Sequence, residues 1–521
     1  MASYKNLTSL TQYPVPALVT QRRLTAMFSD TPGETVQPFP YWMDNVVPTQ
    51  RGVKSVSWQV GALVTSPQTT GLPATLYYFP TENSGSQQAL YTNEQFWLYD
   101  IRANSWEMVQ SLPSATRLPS RAYIRNESYV FFRGIGLKKV TGTGLEDVVL
   151  NWGARVTPPD DLIGCSGNSG YLILYSLTRV YWSSPLSPTV FSISEGGVST
   201  GAGSTLVQGL SGDLITVEPI AGGSILYTNQ IAMSMRYTTN PAVPFAFAPI
   251  QGCRGIVRQW HVAFSDNADS HYIWAVAGLQ RLGIGKAEYV LPEFTAYFAR
   301  NALHKLEGLE VVEEFASTDV KLSLLSGDLL SFSVGPTGQP FQYSWLYDLG
   351  LGRWGRITAA HWHIDAKIPV SNDTAMTYEG LVEETTKIME LKSRTYQSLR
   401  GDIAYSSERP MEYTYYGADG VMHHADFADF SSNSNAKIVI GDYRITFNRS
   451  LCMDELKLRM IGNGATVQVV NHAGQVRQFI EAEAGRFVER AVGHDLKVVI
   501  TGDFELTDVL VSLTTAGSSM L

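Results

Sequence analysis

The chain has 521 residues, with 39 Lys plus Arg against 48 Asp plus Glu, a formal net charge of -9, 17% charged residues and 44% hydrophobic ones. That balance excludes a lone small domain, a disordered chain and a coiled coil, and the lack of a strongly basic stretch excludes a tight grip on nucleic acid. With 45 Gly, 24 Pro, 26 Tyr, 21 Phe and 11 Trp, the composition is that of pleated surfaces joined by tight turns, so a mainly β fold is expected.

The start, Met1-Ala2-Ser3-Tyr4-Lys5-Asn6, has no apolar run behind a basic residue, and no window of 18 apolar residues follows, so neither a signal peptide nor a membrane span is expected, and folding in a cytoplasm is. Residues 1–50 carry Pro14, Pro16, Pro32, Pro38, Pro40 and Pro48. Proline cannot serve a central strand, which predicts an extended N-terminal arm. From Val53 onward, short aromatic and β-branched runs alternate with turn clusters such as Asn83-Ser84-Gly85-Ser86 and Pro158-Pro159-Asp160-Asp161, the pattern of many antiparallel strands.

One motif recurs. Trp97-Leu98-Tyr99-Asp100 is followed by Trp106, and Trp345-Leu346-Tyr347-Asp348 by Trp354, so ten positions repeat with five identities, 248 residues apart. Each copy predicts a hairpin: the Asp carboxylate accepts backbone N–H groups of the turn, Gly350, Gly352 and Asn104 suit its backbone angles, and the second Trp returns on the neighbouring strand. The hairpin resembles the tyrosine-aspartate-turn-tryptophan unit of kelch-type β-propeller blades. At roughly 40 to 50 residues per blade the separation leaves room for about five or six intervening units. Degenerate blades are expected at Tyr171–Tyr175 with Val180–Trp182, and at Tyr272–Gly278. The competing reading is two similar hairpins in a sandwich.

Helix is expected at 292–306, where Phe294, Phe298 and Ala302 share a side behind Pro292, and at 381–396 with Glu383, Lys387 and Glu390 outward. Beyond Arg409-Pro410 the alternation is cleaner: Leu456, Leu458 and Met460 against Lys457 and Arg459, then Val467 and Val469 against Gln468, with turns at Asn463-Gly464 and Ala473-Gly474 and strands at 496–500 and 509–513. The predicted organisation is an arm (1–50), a β-propeller-like domain (51–409) and a C-terminal β-sandwich (410–521).

Chemistry is sparse. Cys165, Cys253 and Cys452 are too few and too far apart for a disulfide framework or a paired-cysteine metal site, and read as buried fillers. His361, His363 and Asp365 on one face of a strand are a possible metal trio, though polar residues facing outward explain them better. His423-His424 with Asp426 and Asp429 is weaker, since adjacent strand residues face opposite ways. The pairs Gly134/Gly136, Gly142/Gly144, Gly201/Gly203 and Gly283/Gly285 complete no phosphate-binding loop and read as turn glycines. Glu307, Glu310, Glu313 and Glu314 read as a solvated acidic face rather than paired catalytic carboxylates. No catalytic, cofactor or metal residue is assigned, and an enzyme is not expected.

The order Val180-Tyr181-Trp182-Ser183-Ser184-Pro185, Phe191, Gly201, then Gly222-Gly223-Ser224-Ile225-Leu226-Tyr227-Thr228-Asn229, Ile250-Gln251-Gly252-Cys253-Arg254-Gly255 and Trp274-Ala275-Val276-Ala277-Gly278-Leu279 resembles the central propeller stretch of the tail hub or nozzle proteins of short-tailed bacteriophages. The resemblance covers about a third of the chain. It implies a virion tail protein, assembled in the host cytoplasm, that forms a homo-oligomeric ring, a hexamer, beneath the portal and adaptor. It further implies contact with tail fibre proteins, genomic DNA passing through the lumen without tight binding, and no stable membrane insertion. A low-charge lumen suits that passage, because each Lys or Arg on a phosphate would hold the duplex. Two other functions are open: a carbohydrate-binding propeller adhesin, and a metal-dependent propeller hydrolase using His361, His363 and Asp365.

Overall fold

The computed structural model describes residues 40–291, 318–367, 412–425, 435–444 and 451–515, apart from short breaks within them. Residues 1–39 of the expected arm, both expected helices, the acidic run from Glu307 to Glu314, and Asn104 lie outside the described residues. The fold described is almost wholly β, with one short 3-10 turn at Gln259–His261.

Six separate four-stranded antiparallel sheets are its main units: 75–111, 120–147, 164–206, 214–249, 262–289, and a sixth of His361–Lys367, Glu412–Gly417 and Val421–Ala425 together with Gln59–Leu63. A further meander of four strands, 318–357, lies in the same succession, but its last strand, Arg353–Ile357, also pairs with Val46–Pro48 and so belongs to a 13-stranded sheet. First strands contact one another from Ser120–Ile124 through Gly164–Asn168 to Leu214–Ile220, and from Val262–Ala263 through Thr318–Leu325 and His361–Lys367 to Thr75–Pro80. A core of Ile220, Val262 and Ile273 joins the fourth and fifth sheets, and Glu127–Phe132 meets Thr75–Pro80 to close the ring. The fold is therefore a β-propeller with these first strands innermost. Gln59–Leu63 pairs with Val421–Ala425 as the outer strand of the last blade, so strands from distant parts of the sequence seal the circle without a covalent link.

The blade strands lack the alternation of a half-solvated sheet because each blade is covered on both faces. Tyr171–Tyr175 is buried throughout: Leu172 and Leu174 enter a core with Tyr129 and Phe131 of the preceding blade, while Tyr171, Ile173 and Tyr175 enter one with Val217 and Met233 of the next. Large apolar and aromatic side chains on both faces let this strand fill the space against two neighbouring blades.

The two copies of the aromatic repeat form the hairpins expected. Tyr99 faces Trp106 and Tyr347 faces Trp354 across the last two strands of their units, and Asp348 Oδ1 accepts the Gly350 N–H at 3.0 Å, with Gly352 at φ 65°. Among the described residues, four four-stranded sheets lie between the copies rather than five or six units.

The expected boundary at 409/410 is not where the sheets divide. Glu412–Gly417 and Val421–Ala425 are propeller strands. Residues 435–515 form a sheet in which Lys437–Arg444 and Leu451–Asn471 flank Asp495–Thr515, and this sheet is continuous with Pro40–Asp44, Val46–Pro48 and Val53–Ser55. The C-terminal alternation is as expected, with Leu456, Leu458, Met460, Val467 and Val469 buried on one face. Asn463-Gly464, however, makes no turn: the strand runs on through a register irregularity between Asn463 and Thr466. Nor is Pro48 part of a loose arm, since Pro40 opens one strand and Pro48 ends another, positions where a missing N–H is tolerated.

One core joins the two parts. Phe332, Trp345 and Trp354 of the meander pack with Val46, Val53, Ile438, Leu456 and Val498. Arg356 holds the junction: its guanidinium donates to Asp44 Oδ1 at 2.5 Å and lies 4.5 Å from the Tyr343 ring centre. A Cβ on Gly355 would meet Val46 O at 2.6 Å, so only glycine lets the N-terminal strand lie this close.

Candidate functional site

Buried charged and polar side chains cluster where the ring closes. Lys321 is 3% exposed, and its ammonium nitrogen reaches Ala74 O at 2.5 Å, Thr75 Oγ1 at 3.1 Å and His363 Nδ1 at 2.7 Å. It therefore links the meander to the last blade and the first. Beside it the Tyr78 hydroxyl donates to Asp365 Oδ2, a second tie between first and last blades. Burial pulls the Lys321 ammonium down to about 7, and the Asp365 charge opposes that.

His361, His363 and Asp365 are buried, not outward. The innermost strand of a propeller faces neighbouring blades on both sides, a placement the local sequence does not signal. The strand is irregular between His361 and His363, which take adjacent pairing positions opposite Gly417 and Tyr416, yet both imidazoles face the meander, His361 on Ser333 and Ser344 and His363 on Lys321, three residues paired in one row. His361 is fully engaged, with Nδ1 donating to Ala359 O at 2.6 Å and Nε2 accepting from Ser344 Oγ at 2.8 Å. Burial lowers it to about 4 and drives His363 well below its usual range, with Lys321 adding to the effect. The trio is thus spread over hydrogen bonds to the protein, and no group of three metal-binding side chains occurs among the described residues. His423 Nε2 donates to Asp419 Oδ2 at 3.1 Å and its ring stacks on Tyr415, while Asp426 and Asp429 lie outside the described residues.

Two further histidines tie blade to blade, and the sequence reading missed both. His271 is fully buried, its Nε2 donating to Pro219 O at 2.8 Å and its Nδ1 accepting from the Tyr227 hydroxyl at 2.7 Å. Asp319 binds His261 Nε2 at 3.0 Å and the Trp260 indole N–H at 3.1 Å. Isolated in the sequence, each acquires its partner only through blade packing, so periodicity offers no signal.

Cys165 and Cys253 are buried free thiols, as expected of fillers, and burial pushes Cys165 up to about 12. The chain end of the innermost strands opens on a cavity of about 270 Å³ formed by five blades, with Tyr78, Arg121, Asn168, Glu218 and Phe264 each from a different one.

The buried Lys321 makes a pH prediction. The unfolded lysine keeps its proton to about 10.5 and the folded one loses it near 7, so between these values the unfolded chain binds more protons and stability rises with pH. The buried Cys165, raised from 9.0 to about 12, subtracts stability above pH 9. Thermal melts are expected to shift upward from pH 7 to 9 and to lose this rise in Lys321→Met; an equal rise in that variant would show that the lysine is not its source.

No protein-family model matches the chain, and no curated protein matches it. Among solved structures, the WD40 β-propeller domain of Doa1 is 11% identical, covering 71% of this chain and 97% of that one at a TM-score of 0.36. YCF48 from Cyanidioschyzon merolae is also 11% identical, with coverages of 72% and 99% and a TM-score of 0.36. Apo AztD from Citrobacter koseri, again 11% identical, gives 60% and 86% at 0.31. Overlays this loose add nothing to the fold, which rests on the sheet order and ring closure above.

Proposed function

We propose that the chain is a non-enzymatic structural subunit of a short-tailed bacteriophage tail, a hub or nozzle protein that assembles into a hexameric ring. The observation that carries this reading is the residue phrases over 172–285 that resemble such proteins, which fall on three consecutive propeller blades. Exposed apolar side chains support an assembly surface: Val149, Leu186, Ile193, Val198 and Leu206 all belong to the blade 164–206 and the connection leading into it, with Leu186 83% and Val198 71% exposed.

With Lys321, His363 and Asp365 buried at the innermost strands, the DNA path in this reading runs between ring subunits, not along a propeller axis. The C-terminal sheet, as part of a β-sandwich, and the Pro-rich arm then meet the adaptor ring above and the tail fibres below. A low-charge lumen lets the duplex slide.

Electron microscopy and native mass measurement of the purified chain are expected to show rings with an axial opening. Leu186→Asp combined with Val198→Asp is expected to yield monomers of unchanged melting temperature. A chain that stays monomeric at high concentration alongside its tail partners, or that sits away from the tail axis in the particle, would overturn the proposal.

A further inference from the structure

The cavity at the end of the innermost strands has a selective chemistry. Two charged residues line it, Arg121 and Glu218, and they are of opposite sign, so the site offers neither a free anion nor a free cation a net electrostatic gain. Its volume of about 270 Å³ falls just below the usual range for drug-sized ligands and suits a single ring.

The polar groups are mixed in kind. The Glu218 carboxylate accepts, and one of its oxygens is oriented by the Thr216 hydroxyl at 2.5 Å. The Arg121 guanidinium donates and is held in place, with Nη1 on Tyr78 O at 2.9 Å and Cζ 6.0 Å from the Phe264 ring centre. The Asn168 amide has both functions, its Nδ2 donating to Met235 O and its Oδ1 accepting from the Ser169 hydroxyl. Tyr123 stands at the rim, 45% exposed, with its hydroxyl donating to Asn126 Oδ1 at 3.3 Å.

A neutral ring that bears several hydroxyls, each both donor and acceptor, and a C–H face that packs on an aromatic ring matches this set. We propose that the cavity is a binding site for a single pyranose sugar, its hydroxyls met by Glu218, Arg121 and Asn168 and its apolar face by Tyr123. The strands that carry these residues are fixed by blade packing, so the site is formed before the sugar arrives.

Saturation-transfer NMR of the full chain with glucose, galactose, mannose, rhamnose and N-acetylglucosamine is the test, with inorganic phosphate as a competitor. At least one sugar is expected to receive magnetisation, with an affinity of order a millimolar that falls about tenfold in Glu218→Gln. Tyr123→Ala, at an exposed position, is expected to weaken transfer without lowering the melting temperature, which keeps the test decisive if the Glu218 variant folds poorly. Transfer to none of the five sugars, transfer unchanged in both variants, or displacement of the sugar by phosphate would overturn the proposal. These outcomes do not depend on whether the chain forms a ring.

Discussion

Acidification from pH 6.5 to 4 is expected to destabilise the fold steeply, through three buried histidines. His271 and His361 are each lowered by burial from 6.5 to about 4, and His363 is driven well below its ordinary value. The hydrogen bonds give the same answer independently. Pro219 O and Ala359 O only accept, so His271 carries its proton on Nε2 and His361 on Nδ1. Each opposite nitrogen accepts from a hydroxyl, and His363 Nδ1 accepts from the Lys321 ammonium. A second proton would force the Tyr227 and Ser344 hydroxyls to turn from donor to acceptor, and at His363 Nδ1 it would meet the donor-only Lys321 ammonium.

In that window the unfolded chain binds protons that the folded chain refuses, so stability falls as pH falls. Each histidine contributes at most about 1.4 kcal/mol per pH unit, so three together approach 4 kcal/mol per unit, a large fraction of the 5–15 kcal/mol that holds a typical domain. Circular dichroism melts taken across pH 7 to 4 are expected to lose their transition well before pH 4. His271→Gln should flatten the dependence by about one proton. A melting temperature that is constant from pH 7 to 5 would show that these imidazoles are already protonated in the fold, and with it that the assigned tautomers are wrong.

Residue patterns revealed the elements better than their partners. The hairpins at Trp97–Trp106 and Trp345–Trp354 were legible because a turn is local: the aspartate, the glycines and the two aromatic partners all lie within ten positions. The C-terminal burial of Leu456, Leu458 and Met460 was legible for the same reason, since a two-residue period belongs to one strand. Ring closure was not. Gln59–Leu63 finds Val421–Ala425 across most of the chain, and nothing near either segment encodes that pairing. The 409/410 boundary failed because a change of composition marks where alternation becomes clean, whereas the last blade continues to Ala425. Buried polar residues were the hardest to read: Lys321 and His363 look like solvent-facing residues until a neighbouring blade covers them.

The second large effect is expected from Trp354→Ala, at about 3–5 kcal/mol, against a markedly smaller loss for Trp106→Ala. The two tryptophans are equivalent in the repeat and not in their surroundings. Trp106 lies against Tyr99, with ring centres 5.1 Å apart, and remains partly accessible on an outer strand. Trp354 is 1% exposed, 4.7 Å from the Tyr347 ring centre and edge-on to Trp345 at 6.0 Å. It also belongs to the core that fuses the meander to the C-terminal sheet and to Val46. Truncation there leaves a cavity bounded by both parts, and rigid sheets on either side cannot collapse into it. The loss should therefore loosen the C-terminal sheet along with the blade. Thermal unfolding combined with limited proteolysis reads both: Trp354→Ala is expected to expose sites in 435–515 to cleavage at temperatures where Trp106→Ala leaves them protected. Equal penalties for the two variants, or a C-terminal sheet that stays resistant in Trp354→Ala, would mean that the shared core does not couple the propeller to the sheet that continues it.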